Sequence, residues 1–122
     1  MVAAVCGVAV GIGATLLLHC DMVHAGSNAR FSLPFVNPRL CPEAGSSLLL
    51  PRLCGYQRAA EILLPGEPFD AHAAMQAGLV NKMLEPQDVL ESAQAQDWDG
   101  YARHALGRQT GVDPSLSRPC AE

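Results

Sequence analysis

The sequence predicts an α/β fold in which short strands alternate with buried helices. Three observations predict it. Val2, Val5, Val8 and Val10 concentrate β-branched residues near the N-terminus, where they favour a strand. Gly7, Gly11 and Gly13 interrupt the same stretch, so it reads as strand, glycine turn and helix rather than one continuous segment. Farther along, Ser and Asp caps and glycine stops mark out a series of short helices. The chain of 122 residues is long enough for one domain with its own core.

Taken in order, residues 2–6 read as a short buried strand and residues 7–13 as a tight loop. Residues 14–20 read as a helix that is apolar all round and therefore buried. A second strand is expected at 22–25, a turn at 26–28 and a third strand at 29–33. In that third strand Phe31 and Leu33 share one face, and Arg30 and Ser32 the other. Residues 34–42 contain Pro34, Pro38 and Pro42 and read as a loop. A helix follows at 46–53, with Ser46 or Ser47 as its cap, Pro51 shortening or kinking it and Gly55 ending it. Helices at 57–64 and 71–77 come next, the second capped by Asp70 and stopped by Gly78. Residues 79–84 are extended, and 88–96 form a modest amphipathic helix. The apolar pattern thins after that. A boundary near residue 97 separates the core, 1–96, from a loosely ordered C-terminal tail, 97–122, in which 100–108 can form a short helix.

Composition removes several classes of function. Hydrophobic residues make up 49% and charged residues 16% of the chain, below the roughly 25% charge of an average domain, which argues against charge-driven disorder. The net charge of −4 and the scattered Lys and Arg leave no basic surface for nucleic acid. Residues 1–18 are uncharged, yet no basic residue precedes them and the glycines break the helix, so neither an export signal nor a membrane anchor is expected. Five cysteines without a C-x-x-C pair suit buried free thiols in a reducing, cytoplasmic setting. The four dispersed histidines form no metal motif. What remains is a glycine loop opening a helix, where unpaired N–H groups suit an oxyanion or another anion. It lacks the third glycine of a dinucleotide fingerprint and the Gly-Lys-Ser/Thr of a P-loop.

Particular residues in order carry more. The A-A-V-x-G-x-A-x-G-x-G run from Ala3 to Gly13, Cys20-Asp21, Ala29-Arg30-Phe31, Pro42-Glu43-Ala44-Gly45 and Ala77-Gly78-Leu79-Val80 resemble the crotonase superfamily, the enoyl-CoA hydratase/isomerase family. The resemblance covers about residues 2–96 and implies part of a ClpP/crotonase-like α/β fold. It corresponds to the second half of the family's core. The strands and the upstream oxyanion loop that precede this half in the family have no counterpart here.

Carried over residue by residue, the resemblance implies an acyl-CoA substrate, with coenzyme A as part of the substrate and no separate cofactor or metal. Ile12, flanked by Gly11 and Gly13, stands where the family's loop donates a backbone N–H to the thioester oxygen. Thr15 and Phe35 stand where hydratases carry two glutamates, which disfavours plain hydration. Pro42-Glu43-Ala44-Gly45-Ser46-Ser47 is closest to the Δ3-Δ2-enoyl-CoA isomerase branch, where one glutamate shuttles the proton. Glu43 is thus the expected acid/base, in an apolar wall that would raise its basicity. Leu33 and Phe35 are expected to line the acyl pocket, and Thr15 to bond back to the preceding turn. The family also implies a homo-oligomer of trimer type. A non-catalytic acyl-CoA-binding or assembly module and an enoyl-CoA hydratase are the alternatives.

Overall fold

The structure, a computed structural model, describes residues 1–96. The expected tail at 97–122 and the helix at 100–108 lie outside the described residues.

Six short strands form two three-stranded sheets. In the first, β1 (Val2–Val5), β3 (Met22–Gly26) and β6 (Lys82–Leu84) run parallel in the order β1-β3-β6. In the second, β2 (Val8–Val10) pairs parallel with β4 (Arg30–Ser32), which pairs antiparallel with β5 (Phe69–Asp70). The parallel register sets Ala3 beside Val23 and Ala9 beside Phe31. Five helices surround these strands: α1 (Ile12–Thr15), α2 (Ser46–Cys54), α3 (Tyr56–Leu63), α4 (Ala71–Gln76) and α5 (Val89–Ala95). A 3-10 turn, Leu16–His19, continues α1.

The core lies between the sheets and the helices. Ala25, Ala29, Phe31 and Ala74 are wholly buried, and Leu50 of α2 nearly so. The Phe31 and Phe69 rings stack with centroids 5.6 Å apart, which joins β4 to β5. Asp70 caps α4 as expected, accepting the Ala73 N–H at 2.8 Å. Gly55 ends α2, also as expected.

Four expectations need correction. The glycine-rich stretch 7–13 is not one loop: Gly7 turns the chain at φ 124° and residues 8–10 form β2 in the other sheet. A residue without a Cβ is what that backbone conformation favours. The helix after it is not a single buried rod. It starts at Ile12, tightens into the 3-10 turn, and exposes Ile12 and Leu16 while burying Ala14, Thr15 and Leu17. Ser46 does not cap α2; Gly45 stands at the cap position, and Ser46 lies inside the helix with its hydroxyl buried and unpartnered. Finally, none of the described thiols is fully buried. Cys6 and Cys41 are exposed, Cys20 and Cys54 half-buried, and all four are free; Cys120 lies outside the described residues. Burial pushes the Cys20 and Cys54 thiols above the ordinary value. Among the described residues, no helix is long and apolar enough to cross a membrane.

Candidate active site

The site forms where the glycine turn meets the loop before α2. Gly11 leaves β2 and opens α1, with its N–H donated to the Ser32 carbonyl at 3.0 Å. Its φ of 56° and ψ of −120° lie in a region that suits glycine and strains other residues. The Gly11 carbonyl accepts from Ala14 and Thr15, which closes the first turn. Ile12 N–H, at the first helical position, lies ahead of any intrahelical acceptor. Its side chain is 58% exposed, so the loop's backbone is not sealed off by its own residue.

Glu43 reaches the same place from a different element. Its Oε1 lies 3.8 Å from where a Cβ on Gly11 would stand. A carboxylate and an exposed backbone loop, 32 positions apart in the chain (43 against 11), therefore face one another. Glu43 sits on a left-handed turn. Ala44 has φ 51° and Gly45 φ 68°, and Ser46 N–H closes the turn on the Glu43 carbonyl at 2.9 Å. For alanine that backbone region is unfavourable and needs support. The desolvating wall expected around Glu43 is absent, because the residue is exposed.

An apolar groove of about 280 Å³ opens beside the turn. Phe35, Leu40, Pro42, Pro51 and Tyr56 form much of its wall, and Ser47 contributes a hydroxyl. Phe35 therefore lines this groove. Leu33 is packed in the core at 2% exposure and is not among the groove's lining residues. Gly13 lies in α1 next to Ile12, with nothing crowding the place where a Cβ would stand. The structure thus brings Gly11, Ile12, Gly13 and Glu43 together, with Phe35 on the adjoining wall.

Thr15 is fully buried and its hydroxyl bonds back to the Ile12 carbonyl at 3.4 Å, as expected for a helix residue. Asp21 pairs with the N-terminal amine. That hydrogen bond, and then the charge behind it, hold its carboxyl below the usual aspartate value. One participant escaped the sequence reading. His19 Nε2 lies 2.7 Å from the Ala44 carbonyl, where it donates to the turn that carries Glu43. No spacing rule relates residues 19 and 44, so no sequence signal pointed to it. Among the described residues, no group of three His, Cys, Asp or Glu side chains is placed to hold a metal ion.

Comparison with known proteins agrees with this architecture. Residues 1–103 match the family model described as enoyl-CoA hydratase/isomerase. The 2,3-dehydroadipyl-CoA hydratase of Escherichia coli is 41% identical over 105 residues, which is 86% of this chain and 41% of that protein. The short-chain-enoyl-CoA hydratase of Clostridium acetobutylicum is 37% identical over 93 residues, 76% of this chain and 36% of that one. Among solved structures, an enoyl-CoA hydratase/isomerase from Cupriavidus metallidurans superposes with a TM-score of 0.77 at 31% identity. It covers 94% of this chain and 47% of its own. The chain thus spans less than half the length of these relatives.

Proposed function

Because the chain belongs to the enoyl-CoA hydratase/isomerase family, within the crotonase superfamily, we propose that it acts on an acyl-CoA thioester and shifts a double bond from position 3 to position 2. The observation that carries this reading is the approach of the Glu43 carboxylate to Gly11. Glu43 takes a proton from C2, next to the thioester carbonyl. The electron pair moves into the carbonyl and forms an enolate conjugated with the 3,4 double bond. The Ile12 N–H, in the first turn of α1, donates to the enolate oxygen. Protonation of C4 by the same Glu43 gives the 2-enoyl thioester and restores the carboxylate. No water takes part, and one acid/base group suffices. The apolar groove bounded by Phe35, Leu40 and Tyr56 accepts the acyl chain.

Hydration is the second reading, favoured by relatives that are named hydratases. It needs a further acid/base to activate water. Thr15, at one of the two family positions, is fully buried with its hydroxyl engaged, and Phe35 holds the other. The measurement that separates the readings is conversion of a 3-enoyl-CoA by the purified chain, run beside hydration of a 2-enoyl-CoA. Glu43→Gln keeps the shape and removes the base; isomerisation is expected to fall by about 10²–10⁴-fold. Unchanged isomerisation in that variant removes Glu43 from the mechanism, and hydration without isomerisation supports the second reading.

A further inference from the structure

The two halves of the site come from different elements, and something has to set the distance between them. The glycine turn is carried by β2 and α1, with the 3-10 turn as their continuation. Glu43 is carried by the turn before α2. Among the described residues, a side-chain hydrogen bond, from His19 to the Ala44 carbonyl, ties these elements together. Its acceptor belongs to the residue held at φ 51°, next in sequence to Glu43.

We infer that His19 is a positioning residue for Glu43: by donating Nε2–H to the Ala44 carbonyl it holds the left-handed turn closed and keeps the carboxylate facing Gly11. The inference rests on the assignment of Glu43 as the acid/base, and deepens it. An alanine in the left-handed region gains nothing locally from staying there, so an outside partner decides its population. The Ser46-to-Glu43 bond closes the turn from within, and His19 closes it from across the site. Loss of the outside partner lets Ala44 relax toward ordinary backbone and swings Glu43 with it. Displacements on the order of 1 Å are enough to cost about 10²-fold in rate.

Two substitutions test this. His19→Met keeps a side chain of similar reach without a donor, and His19→Gln restores an N–H near the same point. His19 is exposed, so neither removes a core contact. With a 3-enoyl-CoA, His19→Met is expected to lower kcat about 10- to 100-fold with KM within about twofold, and His19→Gln to recover most of the loss. In a Glu43→Gln background, His19→Met is expected to have no further effect. Independently of turnover, amide hydrogen exchange at Ser46 is expected to accelerate about tenfold in His19→Met and not in His19→Gln, with Val23 and Ala25 unchanged. An unaltered kcat in His19→Met overturns the inference, as does equal loss in both variants with Ser46 exchange unaltered. Absence of turnover in the parent chain overturns the isomerase reading alone, and the Ser46 exchange ratio then still decides whether His19 holds the turn.

Discussion

Strands β2 and β3 look alike in sequence and meet opposite environments. β2 is Val-Ala-Val, and β3 is Met-Val-His-Ala-Gly. β3 lies between β1 and β6 under α5, and four of its five residues are buried, His24 among them. β2 has a partner on one side only, and Val8 and Val10 stand 78% and 47% exposed around a buried Ala9. The number of paired edges, not apolar character, decides which of these strands is core. The turn that follows β2 is exposed as well, at Ile12 and Gly13, whereas β3 ends in the buried Gly26.

The largest expected contrast comes from matched charges. Val23→Asp, in β3 at 2% exposure, places an unpaired carboxylate in the core and should cost about 3–5 kcal/mol of stability in urea titration. Should Val23→Asp prove mild, β3 is not the closed region described. Next is Gly11→Ala, at the exit of β2. The strained backbone there should cost about 1–3 kcal/mol, and a loss of stability below about 0.5 kcal/mol would show that the turn adapts freely.

His24 sharpens the comparison through pH. Its burial, and then the charge of Lys82 across the register, hold its pKa below the ordinary histidine value. The unfolded chain therefore binds this proton more readily than the folded one. The contribution is fully present above the unfolded value near about pH 6.5, and stability falls as pH drops below it toward the lowered folded value. His24→Asn should remove that part of the slope between about pH 7 and pH 5, leaving any remainder to other groups. The smallest effect belongs to Val8→Asp, expected within about 0.5 kcal/mol because the side chain already faces water.

The sequence made the β3 and β4 strands readable because their β-branched and aromatic residues coincide with buried positions, whereas β1, expected to be buried, forms where its valines stand but is only half-buried, with Ala4 exposed. Asp70, with an oxygen three residues before the Ala73 N–H, announced α4 by a purely local rule. β2 was hidden because its residues fell within a run of glycines, and its partner β4 is distant in sequence. Ser32 shares a strand face with Arg30, as expected, yet it is 8% exposed and its hydroxyl donates to the Gly66 carbonyl, a tertiary contact that alternation alone does not reveal. In the site, Gly11, Ile12 and Glu43 could be named from family motifs. Their approach could not be measured from spacing, and neither could the exposure of Glu43. His19 was invisible for the same reason: its acceptor is a backbone carbonyl, which every residue possesses.

The first sheet also imposes a timetable. Its strands are collected from both ends of the described chain, with β6 returning to β3 only after α2, α3 and α4 have passed. During synthesis at about 5–20 residues per second, β1 and β3 can pair while most of the helical part is still inside the ribosome. Lys82 to Leu84 must emerge before the third strand can dock. Until then β3, buried on completion, offers a free parallel edge to any neighbouring nascent chain. Slow decoding between α4 and β6 would lengthen that exposure, and crowding on a polysome would turn it into misassembly.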